Sequence, residues 1–172
     1  KAAAAGYRKA GQVCTSVQIL HVERPVLDEM VDRMSSAAAS MVTGDPRQPT
    51  TRMGPLISLA DAERVEAWIG EAAAAGANVV CGGNREGASV AASLLIDPPE
   101  DAHVLREEVF GPVISILPFA DLDTAVERAN ATPYGLAAGL FCSDLSRALR
   151  AAGRMRFGAV HVNEASSARS DG

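Results

Sequence analysis

Between Val17 and Val162 the chain keeps switching period, and that alternation limits its fold more than any other feature. Short β-branched, apolar runs are followed by amphipathic stretches of about ten to sixteen residues, joined by turns rich in Gly, Pro, Asp and Ser. Strand-length runs lie at Val17 to Val22, Ala77 to Cys81, Leu94 to Ile96, Val113 to Leu117, Leu136 to Cys142 and Ala159 to Val162. Between them the spacing predicts helices over Val26 to Met41, Leu59 to Ala75, Leu122 to Ala131 and Leu145 to Ala152. Ser58 caps the second of these, Asp121 or Asp123 the third, and Gly76 ends the second in a C-cap position. Strands separated by helices in this order predict an α/β fold: a largely parallel, twisted sheet covered by helices in a three-layer α/β/α arrangement. Ala2 to Ala5 reads as the last turns of a helix stopped by Gly6, and Gly44 to Thr51 as an ordered surface loop.

Composition narrows the class. A chain of 172 residues fits one domain, and with 48% hydrophobic and 22% charged residues it has the make-up of a folded protein. A net charge of −5 without a long Lys/Arg cluster argues against a nucleic-acid surface. No run of about eighteen apolar residues is present to span a bilayer, and the first residues lack the features of a signal peptide. Cys14, Cys81 and Cys142 are odd in number and widely spaced, which reads as free thiols in a reducing, cytoplasmic compartment. His21 and His161 fall within strands and His103 in a polar loop; with no further ligand at metal spacing, the reading is no metal.

Two segments carry chemistry. In Gly11-Gln12-Val13-Cys14-Thr15 a glycine permits a tight backbone path, and small polar neighbours leave room at the thiol, as a nucleophilic cysteine requires. Taken alone, such a cysteine more often packs as a small buried hydrophobe. In Glu107-Glu108-Val109-Phe110-Gly111-Pro112-Val113 a carboxylate and an aromatic ring precede a Gly-Pro turn into a strand. A carboxylate can accept from two ribose hydroxyls and a phenyl ring can pack on a nicotinamide; a solvated acidic pair beside a core phenylalanine is the alternative.

The order of these and four further matches decides between the readings. Gly11 to Thr15 resembles the GQxCT signature of the aldehyde dehydrogenase superfamily, and Glu107 to Val113 its EExFGPV signature. Gly44-Asp45-Pro46, Met53 to Ile57, Ala129 to Ala137 and Val162-Asn163 are similar to the GDP, GPLI, AN-x-x-x-YGLA and VN elements of that superfamily. The resemblance implies Cys14 as the nucleophile, Glu108 as the ligand of the nicotinamide ribose and Phe110 as the aromatic beside the nicotinamide. It implies NAD or NADP as cofactor, a small aldehyde as substrate, and a homodimer or homotetramer for the parent enzyme.

It also implies parts that this sequence lacks. In the superfamily the Gly-rich cofactor turn, the oxyanion asparagine and the base glutamate all precede the cysteine signature, and a PFGG-type motif and an oligomerisation strand follow the VN element. Residues 1–172 are therefore expected to be a single catalytic domain, truncated at both ends and inactive alone. The stretch Val162 to Asp171 looks like the ending of members that handle small hydroxylated or phosphorylated aldehydes, with Arg169 as the candidate for an anionic substrate group. Glu164 stands where aspartate is more usual. Acyl-CoA- or acyl-phosphate-linked reductases of the same superfamily, or a non-catalytic folded fragment, are the alternatives.

Overall fold

The computed structural model describes residues 1–168. Its elements follow the predicted alternation: α1 (Ala2–Tyr7), β1 (Ile19–Glu23), α2 (Leu27–Ala39), α3 (Leu59–Ala74), β2 (Asn78–Cys81), β3 (Arg85–Glu86), β4 (Ser89–Val90), β5 (Ser93–Ile96), α4 (His103–Arg106), β6 (Val113–Phe119), α5 (Leu122–Asn130), β7 (Ala137–Leu140), α6 (Leu145–Ala152) and β8 (Ala159–Val162). A kinked turn at Arg8–Gly11 leads into the cysteine segment, and a 3₁₀ turn at Arg24–Val26 leads into α2.

The main sheet has the order β1-β6-β5-β2. β6 pairs parallel with β1, Ile19 opposite Ser115, and with β5, Ser93 opposite Val113, whereas β2 runs antiparallel to β5. Consecutive residues of the two central strands, Ser93, Leu94 and Leu95, and Val113 through Ile116, are all buried. Successive strand residues point to opposite faces, so both faces of this sheet are covered, as in an α/β layer. β7 and β8 form a second, parallel sheet, and β3 and β4 a small hairpin. The largely parallel α/β expectation holds, with the sheet divided in two among the described residues.

Helix ends show why the chain folds this way locally. Ser58 Oγ accepts from the Asp61 N–H at 3.0 Å and donates to the Asp61 carboxylate at 2.5 Å, closing the first turn of α3. At its other end Ala77 N–H donates to Ala72 O and Gly76 N–H to Ala73 O, with Gly76 at φ +107, the paired bonds of a Schellman motif. Asp121 and Asp144 accept from Thr124 N–H and Arg147 N–H at the starts of α5 and α6.

Four local expectations change. Gly6 does not stop α1, which runs on to Tyr7; a Cβ at Gly6 would lie 2.4 Å from Ile114 Cδ1, so the glycine lets the helix pack directly on β6. His103 opens the one-turn helix α4 rather than lying in a loop, stacked on Trp68 with its Nδ1 2.7 Å from Glu71 Oε2. Cys142 lies two residues beyond the end of β7, and Met41 beyond that of α2.

Candidate active site

Cys14 occupies a tight turn, closed by a bond from Ser16 N–H to Val13 O at 2.8 Å, and is exposed. The backbone approaches it through three successive left-handed residues, Lys9, Ala10 and Gly11 at φ 53, 53 and 70. Left-handed backbone costs a non-glycine residue about 1–2 kcal/mol, so surrounding contacts must hold it. Those contacts are specific. Gln12 accepts the Ile57 N–H at 2.8 Å and donates to Lys9 O at 3.2 Å, fastening the turn to the Met53 to Ile57 segment. On the far side of Cys14, Ser16 Oγ donates to Gly6 O at 2.9 Å, and Ser166 Oγ donates to Thr15 O at 3.0 Å.

Gly11 joins the two sequence signatures. A Cβ there would lie 2.0 Å from the Gly111 carbonyl oxygen, so the cysteine segment and the Glu107 to Val113 segment touch backbone to backbone. Glu108 and Phe110 are exposed; Phe110, 41% accessible, sits at φ 47, while Val109 between them is buried. Alternating burial thus anchors the loop through Val109 and turns its carboxylate and ring outward. A cleft of about 1180 Å³ is lined by Cys14, Glu108 and Phe110 together, and continues between β1 and β7. Structure therefore brings together three of the four residues singled out by sequence; Arg169 lies outside the described residues.

Exposure distinguishes the three thiols. Cys81 is half-buried on β2, where burial pushes its thiol up and away from the thiolate form, while Cys14 is the exposed one of the three. Beside the Cys14 turn, Lys1 pairs with Glu164 at 2.6 Å and holds that carboxyl below its usual range. Among the described residues no cluster of His, Cys, Asp and Glu could hold a metal ion.

Several residues that shape this site were not singled out as site residues from the sequence, although Tyr134 lies in the element similar to AN-x-x-x-YGLA. Gln18 donates to Glu107 O at 2.7 Å and to Val104 O at 3.1 Å, and accepts the Val109 N–H at 3.0 Å. Tyr134 Oη accepts the Glu108 N–H at 3.0 Å. Arg64 donates to Val109 O at 3.0 Å while its guanidinium lies 4.6 Å over the Trp68 ring. A polar amide at the mouth of an apolar strand was the one visible hint of Gln18.

A profile of the aldehyde dehydrogenase family matches residues 1–172 in full. The chain belongs to the aldehyde dehydrogenase family. It is 39% identical to 3-sulfolactaldehyde dehydrogenase of Priestia aryabhattai over 165 residues, covering 96% of this chain and 35% of that protein. Among solved structures it superposes with a TM-score of 0.94 and 34% identity on an aldehyde dehydrogenase from Physcomitrella patens in complex with the product succinate, over 98% of this chain and 35% of that one. The GapN glyceraldehyde-3-phosphate dehydrogenase from Methanocaldococcus jannaschii, solved with NADP, matches at TM-score 0.94 and 31% identity over 99% of this chain and 37% of its own. The chain thus spans about a third of the length of these relatives.

Proposed function

We propose that residues 1–172 form a single catalytic domain, the cysteine-bearing part of a longer NAD(P)-dependent aldehyde dehydrogenase, and that Cys14 is its nucleophile. The observation that carries this reading is the shared cleft: Cys14, Glu108 and Phe110 face one space, held in register by the Gly11–Gly111 contact. Cys14 thiolate adds to the aldehyde carbonyl, forming a C–S bond and an oxyanion that the Cys14 backbone N–H stabilises together with an asparagine from outside this sequence. Collapse of that oxyanion expels hydride and leaves an acyl thioester on Cys14. Water, deprotonated by a glutamate that also lies outside this sequence, opens the thioester to the carboxylic acid and restores the thiol.

The described residues fit the nicotinamide-ribose end of a dinucleotide. Glu108 is an exposed carboxylate able to accept from the ribose hydroxyls, and the exposed Phe110 ring lines the same cleft. When bound, the nicotinamide supplies the hydride acceptor. With base, oxyanion asparagine and the main dinucleotide site all elsewhere, residues 1–172 alone are expected to be inactive.

The substrate we propose is a small hydroxylated or phosphorylated aldehyde, with Arg169 as the candidate partner of an anionic group. The 39% identity to an enzyme named for 3-sulfolactaldehyde supports this. A homodimeric or homotetrameric, cytoplasmic enzyme accords with the family; among the described residues no helix is long and apolar enough to cross a membrane.

The test is iodoacetamide labelling with peptide mapping on the full-length enzyme, together with NAD(P) reduction by a panel of short aldehydes. Cys14 should label fastest and Cys14→Ala should abolish turnover. Retained turnover in Cys14→Ala would sink the assignment. Arg169→Leu should raise KM for anionic aldehydes and leave neutral ones unchanged.

A further inference from the structure

The loop carrying Glu108 and Phe110 is held in place mostly by side chains. Its backbone groups Glu107 O, Glu108 N–H, Val109 N–H and Val109 O bond to Gln18, Tyr134, Gln18 and Arg64 in turn. Gln18 spends its whole amide here: both N–H bonds go to Glu107 O and Val104 O, and its oxygen takes the Val109 N–H. It also lies four residues after Cys14, and its own carbonyl accepts the Ser115 N–H at 2.8 Å, so its backbone is fixed to β6. Tyr134 reaches the same loop from the segment before β7. Because its hydroxyl accepts from Glu108 N–H, its proton points elsewhere, and Glu107 Oε2 lies 3.4 Å away to receive it. The two adjacent glutamates thereby divide: Glu107 orients Tyr134, and Glu108 stays free to face the cleft.

We propose that Gln18 and Tyr134 are positioning residues that set the reach of Glu108 and Phe110 relative to Cys14, and so the geometry of hydride transfer. This rests on the reading of Glu108 as the cofactor ligand. Neither side chain touches a reacting atom; each fixes the loop from one side, Gln18 from the cysteine segment and Tyr134 from the β7 end. Small displacements matter, because hydride transfer requires the reacting atoms within about 3–3.5 Å.

The experiment compares Gln18→Met, Tyr134→Phe and Glu108→Gln in the full-length enzyme. It measures the cofactor KM, the isotope effect on kcat with an aldehyde deuterated at the carbonyl carbon, and the iodoacetamide labelling rate of Cys14 without cofactor. Gln18→Met and Tyr134→Phe should each raise the cofactor KM by about tenfold, as the loop loses the side-chain bonds that fix it. The isotope effect should rise as hydride transfer becomes slower, with Cys14 labelling changed by less than about twofold. Wild-type KM and isotope effect in both variants, beside a raised KM in Glu108→Gln, would overturn the positioning role alone. An unchanged KM in Glu108→Gln overturns the cofactor reading and this proposal with it. Cys14 labelling that falls as KM rises shows a structural role only and also overturns it. Tyr134 is exposed, so Tyr134→Phe carries the test should Gln18→Met fail to fold.

Discussion

Gly11 is confined from two directions: its φ of +70 disfavours any side chain, and the Gly111 carbonyl occupies the place where a Cβ would go. Relief would require separating the two segments that bring Cys14 and Glu108 into one cleft. Gly11→Ala is therefore expected to lower turnover of the full-length enzyme by at least about a hundredfold, since misplacement of about 1 Å near a reacting centre costs that much. Kinetics of the purified variant decide it, and turnover near wild type would show that the contact is slack. His21 makes a separate, pH-dependent prediction. Burial, aided by the charge of Arg128, pushes its imidazole down to about 4 from 6.5, and its Nδ1 has no partner among the described residues. The unfolded chain takes up this proton near pH 6.5 and the folded chain only near pH 4. Stability is thus intact above about pH 6.5 and lost as the pH falls towards 4, by up to about 3 kcal/mol. Urea midpoints across that window should fall in the wild type and flatten in His21→Leu.

At the scale of elements, α3 supports the site through Val65, against which Gly111 packs, and through Arg64 on Val109 O. Its start depends on one hydroxyl, since Ser58 satisfies the Asp61 N–H and holds the Asp61 carboxyl below its ordinary value. Ser58→Ala should cost about 1 kcal/mol and lower Tm by about 2–4 °C, readable by calorimetry. This cap was visible in the sequence, as were Gly76 at the far end and the bounds of α6 and β8, because caps and periodicity are local signals. What escaped was too short to show a period, such as the two-residue strands β3 and β4 and the single turn of α4. That Cys14, Glu108 and Phe110 belong together as candidates was legible because their motifs are contiguous. The contacts of Gln18, Tyr134 and Arg64 were not, even though Tyr134 lies in the YGLA element, because each binds backbone groups 26 to 91 residues away, a relation that no local pattern records.

Across the whole molecule, apolar surface is unevenly distributed. Leu136, Phe141, Leu145 and Leu149 are all exposed, Leu145 at 62% and Leu149 at 57%, and they cluster in sequence around β7 and α6. Leu145 and Leu149 are four residues apart and share one face of α6. The same region borders the cleft, where β1 and β7 each have a single strand partner, β6 and β8 respectively. Apolar faces and unpaired strand edges together favour association between copies. Residues 1–172 produced alone should therefore self-associate and enhance the fluorescence of a hydrophobic dye, whereas in the full-length enzyme this surface is expected to be covered. Leu145→Glu with Leu149→Glu should shift the isolated chain towards monomer in sedimentation velocity without moving the capped start of α6 at Asp144. A wild-type chain that sediments as a monodisperse monomer and leaves the dye dark would mean that this face needs no partner.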